Sequence, residues 1–154
     1  MKIYLAGPCD IEHRTIMVNI AEKLRREPKL EVYCPWELKI EDVWSKTQEN
    51  WSAEVFWNDV QAINDCDIFL MISVGRKSTA GTNWEQGYAF AKNKIVYVLQ
   101  ITDKPTSLMT FCGCTHFWNT NKEDLNKDIA NIINIIFDPT HLIFKHKKCE
   151  TILT

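Results

Sequence analysis

The chain has 154 residues, of which 45% are hydrophobic and 25% charged, and its formal net charge is −2. This balance is typical of one globular domain and argues against the strongly basic surface that binds nucleic acids or anionic membranes. No apolar stretch approaches the roughly 20 residues of a membrane span, and the apolar N-terminal run is too short for a signal peptide, so we expect a cytoplasmic protein.

Short apolar runs alternate with amphipathic segments along most of the chain. The run over 67–73 is almost continuously apolar, as is typical of a strand buried on both faces. Gly7-Pro8 stops the first strand, and Asp10 can cap the helix that follows. In chain order the patterns predict a strand over 2–6, a helix over 12–27, a strand over 30–34, a helix over 45–64, a strand over 68–73, a helix over 83–92, strands over 95–101 and about 114–118, and a helix over 122–137.

This alternation predicts the fold class. Strands and helices that follow one another with short loops indicate a doubly wound, flavodoxin- or Rossmann-like, five-stranded parallel sheet flanked by helices. We expect a single domain over residues 1–138, followed by a C-terminal tail over 139–154 of uncertain structure. Ligands of such sheets bind outside the carboxyl ends of the strands.

Glu85 lies in the loop-to-helix segment that follows the third predicted strand. One interpretation of Thr82-Asn-Trp-Glu85 is a capping box, in which the glutamate bonds back to the backbone of Thr82. In the other, a carboxylate in the first helical turn is kept ionised by the helix dipole and can attack an electrophilic carbon of a ligand.

Two further residues are candidates for the same crevice. Asp59 lies within the apolar face of the 45–64 helix, where burial would raise its pKa and suit it to proton exchange, unless it only caps a neighbouring loop. Tyr4 lies on the first strand, which neighbours the third in a doubly wound order, so its hydroxyl can face the loop after Ser73. A strand tyrosine can equally serve packing alone.

Cysteine and tryptophan are frequent in this chain, with six residues of each. The run Cys112-Gly-Cys114-Thr-His116 lacks a fourth metal ligand, so buried thiols are favoured and neither a metal nor a cofactor is predicted. The candidates for stacking on a planar ligand are Trp36, Trp44, Trp51 and Trp57.

Three segments in this order resemble the nucleoside 2-deoxyribosyltransferase family. They are Lys2-Ile-Tyr-Leu-Ala-Gly-Pro8, Asn58-Asp-Val-Gln-Ala-Ile-Asn-Asp-Cys-Asp67 and Gly81-Thr-Asn-Trp-Glu-Gln-Gly-Tyr-Ala89. The resemblance covers about residues 1–120. It implies cleavage of the N-glycosidic bond of a 2'-deoxynucleoside, a covalent deoxyribosyl-enzyme ester, and transfer of the sugar to a second nucleobase.

The resemblance also implies roles for individual residues. Glu85 falls on the position of the nucleophile, Asp59 on an aspartate that contacts the base and assists its protonation, and Tyr4 on a tyrosine that positions the nucleophile. It implies a homo-oligomer with shared active sites, in which His116 and Trp118 are candidates for reaching into a neighbouring subunit's site. Both can equally be residues packed in the last strand. The expected substrate contacts are Gly7, Pro8, Ser78, Thr79, Gly81, Thr82, His116 and Trp118.

One position departs from the family pattern. Many members have an aspartate six residues before the nucleophile, where it helps to bind the sugar hydroxyls, whereas this chain has Thr79. The surrounding loop, Gly75-Arg-Lys-Ser-Thr79, and Arg14 in another loop would suit a 5'-phosphate. Two alternatives therefore stay open: a nucleoside 5'-monophosphate N-glycosidase that passes the sugar to water, and a non-catalytic nucleotide-sensing module.

Overall fold

Five parallel strands and the helices between them account for most of the chain. The structure is a computed structural model that describes residues 1–75, 80–121 and 123–138, apart from the side chain of Val43. Its elements are β1 (Lys2–Ala6), α1 (Ile11–Arg25), β2 (Glu31–Tyr33), α2 (Gln48–Asp65), β3 (Ile68–Ser73), α3 (Ala80–Ala91), β4 (Ile95–Gln100), α4 (Leu108–Cys112), β5 (His116–Asn119) and α5 (Leu125–Phe137), with 3-10 turns over Pro35–Glu37 and Val43–Ser45.

The strands form one sheet in the order β2-β1-β3-β4-β5, and every neighbouring pair is parallel. This confirms the predicted doubly wound five-stranded fold. The chain leaves β1 toward β2 on one side and returns to β3 on the other, so the order reverses at β1. A ligand crevice is expected at the carboxyl ends of β1 and β3, where the connections diverge.

The alternation of side chains along the strands divides the core into two layers. On one face, Ile3, Leu5 and Tyr97 pack with apolar residues of α1 and α5. On the other face, Tyr4 and Phe69 pack with residues of α2 and α3. Strands β3 and β4 are buried along their whole length, as expected for central strands of a parallel sheet.

The elements differ from their prediction mainly at the ends and in one short helix. Asp10 caps α1 as predicted, its side chain accepting from the backbone amide of His13 at 3.0 Å. Helix α3 begins at Ala80 rather than at residue 83, and β5 begins at His116 rather than near residue 114. Helix α4 was not predicted, because a five-residue helix has no readable period.

The predicted tail over 139–154 lies outside the described residues. Within the described ranges, none of the helices combines the length and the apolar character needed to cross a bilayer.

Candidate active site

Two tyrosine–carboxyl pairs lie side by side at the crevice that the strand order creates. The hydroxyl of Tyr4, on β1, donates to Oε1 of Glu85, on α3, at 2.9 Å. The hydroxyl of Tyr33, at the end of β2, donates to Oδ1 of Asp59, on α2, also at 2.9 Å. The fold thus brings the three predicted residues Glu85, Asp59 and Tyr4 together, although 81 positions separate Tyr4 from Glu85.

Aromatic stacking across the strands holds the two hydroxyl groups in place. Tyr4 pairs with Tyr33 on β2 and with Phe69 on β3 in the sheet register. Its ring centroid is 5.4 Å from each of theirs, with interplanar angles of 19° and 7° respectively. Because all three rings belong to a single pleated face, the orientation of each phenol follows from the strand pairing.

The capping-box interpretation of Thr82 and Glu85 is wrong. Thr82 is the third residue of α3, and its hydroxyl donates to the carbonyl oxygen of Gly7 at 2.8 Å. Glu85 lies in the second turn, where its carboxylate meets Tyr4 rather than the helix backbone. The predicted stabilisation by the helix dipole is therefore also wrong, since that effect is confined to the first turn.

Burial, and not the helix dipole, dominates the protonation of the two carboxyl groups. Burial raises the pKa of Glu85 to about 7; the hydrogen bond from Tyr4 opposes this rise, and the charge of Asp59 adds to it. Burial also raises the pKa of Asp59, against hydrogen bonding from Tyr33 and Tyr4. Because the charge of Asp59 acts on Glu85, the two carboxyl groups titrate as a linked pair.

The raised pKa of Glu85 predicts a pH-dependent gain in stability for Glu85→Gln. An unfolded glutamate ionises near 4.5, whereas the folded one keeps its proton to about 7, so wild-type stability falls as pH rises through this window. We expect the Gln variant to match wild type at pH 4 and to exceed it at pH 8 by up to about 3 kcal/mol in the free energy of unfolding.

Urea denaturation at both pH values measures this difference. Glu41→Gln, at an exposed glutamate, is the matched control and should show no such divergence. Equal stability of wild type and Glu85→Gln at pH 8 would contradict the prediction.

A cavity of about 450 Å³ opens in front of the two carboxyl groups. Three aromatic residues are among its walls, which suits a flat heterocycle, while Asp59 and Glu85 supply the charge. The residues that line it are Trp51, Ser52, Val55, Phe56, Asp59, Gly81, Trp84 and Glu85. The position where a Cβ of Gly81 would stand is open space, so Gly81 leaves its own part of the cavity wall open.

The four tryptophans predicted as stacking candidates have different surroundings. Trp51 lines the cavity. The indole of Trp36 donates to the carbonyl oxygen of Pro8 at 3.0 Å and therefore braces the loop after β1. Trp44 is 99% exposed and Trp57 59% exposed. The stacking wall is completed by Trp84, which was not predicted and whose ring lies 5.4 Å from that of Phe56.

Of the predicted substrate contacts near β1 and α3, Gly81 lines the cavity, whereas Gly7, Pro8 and Thr82 are buried. Gly7 and Thr82 are joined by a hydrogen bond that ties the loop after β1 to α3. A Cβ at Gly7 would lie 2.4 Å from Sδ of Met17, so a larger residue here would require the buried Met17 side chain to shift. Ser78 and Thr79 lie outside the described residues, so their predicted role stays a prediction.

His116 and Trp118 lie apart from the site of their own chain. Both are on β5, at the far edge of the sheet, and their rings pack around Tyr97 on the face opposite Tyr4. They cannot contact the cavity within the same subunit, because three strand positions and the sheet itself separate them from Tyr4. Their predicted reach into a neighbouring subunit stays a prediction.

Within the described ranges, Arg14, Asp10 and Cys114 already have partners. The guanidinium of Arg14 lies 5.7 Å from the ring centroid of Trp36. Asp10, Glu12 and His13 are close enough to share an ion, but Asp10 caps α1 and bonds to the ring of His13 at 2.6 Å. The thiol of Cys114 is buried and donates to a backbone carbonyl.

Sequence reasoning missed Tyr33 and Trp84 as site residues. A signal for Tyr33 existed: it ends a strand next to β1 and precedes Cys34-Pro35, at the edge where ligands bind. Trp84 precedes Glu85 in the chain. That both side chains line one cavity depends on the position of α3 against the sheet, which the sequence does not give.

Known proteins share this architecture. A doubly wound sheet that brings two half-buried carboxyl groups to one cavity at its switch point defines an α/β protein suited to carboxylate chemistry on a small molecule. The chain belongs to the nucleoside 2-deoxyribosyltransferase family, whose model matches residues 3–134. The family is enzymatic, and membership supports a function of the deoxyribosyltransferase type. No curated protein sequence matches the chain significantly.

Solved structures similar to this chain include a 2-deoxyribosyltransferase from Bacillus psychrosaccharolyticus, with 27% identity, a TM-score of 0.74 and coverage of 92% of this chain and 96% of that one. A conserved protein from Enterococcus faecalis V583 shares the fold at 21% identity and a TM-score of 0.68, over 86% of this chain and 98% of that one. A CMP N-glycosidase from Clostridium botulinum shares it at 17% identity and a TM-score of 0.59, with the same coverage.

Proposed function

We propose that this protein is a nucleoside 2-deoxyribosyltransferase that acts through a covalent deoxyribosyl ester on Glu85. The observation that carries this proposal is the pair of half-buried carboxyl groups, each held by a tyrosine hydroxyl, on the wall of one largely apolar cavity. Family membership and the likeness to the Bacillus deoxyribosyltransferase support the same reaction class.

The reaction requires different protonation of the two groups. An oxygen of ionised Glu85 attacks C1' of the deoxynucleoside, and the C1'–N bond breaks with its electron pair going to the base. Asp59 must be protonated when the base departs, and it donates that proton to the base. A second base then attacks C1', which frees the Glu85 carboxylate and returns a proton to Asp59.

The second candidate is an N-glycosidase acting on a nucleoside 5'-monophosphate. It uses the same glutamate but passes the sugar to water. Two observations favour keeping it: Thr79 stands where many family members have an aspartate, and the CMP N-glycosidase of Clostridium botulinum has the same fold.

Product analysis separates these candidates. The protein is incubated with a 2'-deoxynucleoside or its 5'-monophosphate, with and without a second free base. A transferase forms a new deoxynucleoside only when the second base is present, whereas an N-glycosidase releases base and free sugar phosphate from the monophosphate alone. Bound ligand without any base release would favour the non-catalytic sensing module.

We further propose that the protein is a homo-oligomer that packs through α3 and α4. Phe90 on α3 and Met109 on α4 line an open groove, and Leu108 and Met109 are 82% and 81% exposed. Trp84 lies both in the cavity wall and on the exposed surface of α3, so a second copy packed here would also shield the cavity.

Light scattering tests this proposal and should give a mass at least twice 18.0 kDa. The variant Met109→Glu, which puts a charge into the groove, should have a lower mass in the same measurement.

A further inference from the structure

Tyr33 lies behind Asp59, and the proposed reaction gives it no role. Its hydroxyl donates to Oδ1 of Asp59 at 2.9 Å. Asp59 faces the cavity, whereas Tyr33 approaches it from the end of β2. Oδ1 of Asp59 is thereby occupied by the Tyr33 hydroxyl, while the same side chain forms part of the cavity wall.

The tyrosine cannot easily turn away from this contact. Its ring stacks on that of Tyr4, which in turn stacks on Phe69, so that three adjacent strands hold the phenol plane. The titratable groups that act on this part of the site are Glu85, Tyr4, and the thiols of Cys9 and Cys34. The hydrogen bonds of 2.9 Å to the two carboxyl groups come from tyrosines: Tyr4 donates to Glu85, and Tyr33 donates to Asp59.

The bond from Tyr33 changes in strength as the base departs. A hydroxyl donates weakly to a neutral carboxyl group and about twice as strongly to a carboxylate. Asp59 becomes a carboxylate at the moment when it gives its proton to the base. An interaction that strengthens along the reaction lowers the barrier, whereas one of constant strength does not.

We propose that Tyr33 is a positioning residue that aims Asp59 at the nucleobase and stabilises the carboxylate formed when Asp59 releases its proton. This inference rests on the proposed function, because it assigns to Asp59 the protonation of the base. The carboxyl proton of Asp59 moves to the base, and the electron pair of the breaking C1'–N bond also goes to the base. Glu85 forms the new bond to C1', so the step balances. Tyr33 keeps its own proton throughout.

The test compares Tyr33→Phe on substrates that do and do not need a proton. 2'-Deoxyguanosine and 2'-deoxyuridine need help to release their bases; 7-methyl-2'-deoxyguanosine and 2'-deoxy-5-fluorouridine release theirs more readily. We expect kcat to fall about 10- to 100-fold on the first two, as for the loss of one charge-assisted hydrogen bond, with little change in KM. On the second two the loss should stay within about threefold.

Tyr88→Phe is the matched control. Its hydroxyl also donates to a side chain of α2, Oδ1 of Asn64, at 3.0 Å, so the same atom is removed from the same kind of contact. The control should lose no activity on either kind of substrate. Equal losses by Tyr33→Phe on both kinds, or the same losses by Tyr88→Phe, would overturn the positioning role.

A double-mutant cycle with Asp59→Asn gives a second measurement. If Tyr33 acts through Asp59, Tyr33→Phe should cost almost nothing in the Asn background, whereas a purely structural role would cost the same in both. Failure of the proposed function is distinguishable, because wild type would then release base from none of the substrates. That outcome would overturn both; an active wild type with additive losses would overturn this inference alone.

Discussion

Turnover of Glu85→Gln is expected to fall on the order of 10³- to 10⁵-fold relative to wild type. The amide oxygen can still accept the hydrogen bond from Tyr4, so the variant keeps the geometry of the site and loses mainly the nucleophile. Base release from a 2'-deoxynucleoside, followed by chromatography, measures the loss. Glu41→Gln, which changes an exposed glutamate, should retain wild-type rates.

The covalent ester gives this prediction a direct physical readout. Enzyme quenched in acid during turnover and then digested should carry one deoxyribosyl group on the peptide that contains Glu85. Wild-type rates in Glu85→Gln, or the sugar on the peptide that contains Asp59, would show that the assignment of the nucleophile is wrong.

Asp59→Asn is expected to lose about 10²- to 10³-fold in kcat on substrates whose base must be protonated. The asparagine oxygen can still accept from Tyr33, so the variant keeps the position of the side chain and loses the transferable proton. Removal of the Asp59 charge should also lower the pKa of Glu85 toward its ordinary value, since that charge is among the causes that raise it.

Substrate choice distinguishes this role from a general loss of structure. On 7-methyl-2'-deoxyguanosine, whose base leaves without a proton, Asp59→Asn should stay within about tenfold of wild type, while Glu85→Gln should remain inactive. Equal loss by Asp59→Asn on all substrates would contradict its assignment as proton donor and would favour a purely structural aspartate.

Local patterns in the sequence were sufficient for the architecture. The run over 68–73 is predicted and observed with the same bounds, because a strand buried on both faces needs nearly every residue apolar. The order of strands and helices then restricts the topology, since parallel strands need crossover connections of one hand. The convergence of Tyr4 with Glu85 follows from that topology, which places β1 beside β3.

Two features of the site depend on contacts that local patterns do not specify. The pattern Thr82-Asn-Trp-Glu85 matches a capping box, but α3 starts at Ala80 and Thr82 bonds to Gly7 of another loop. A tertiary contact thus competes with the local one and wins. The missed residue Tyr33 shows the same limit, because its partner Asp59 is 26 positions away.

The sequence by itself determined the parallel α/β sheet and placed three acidic and phenolic groups at one end of it, because apolar periodicity is local and the handedness of crossovers restricts how successive strands can pair. The tertiary structure alone decided the pKa values of those groups. Desolvation raises the pKa of Glu85 to about 7, and the hydroxyl groups of Tyr4 and Tyr33 oppose the effect of burial on the two carboxyl groups. Burial and hydrogen bonding depend on residues far apart in the chain, so only packing in three dimensions sets them.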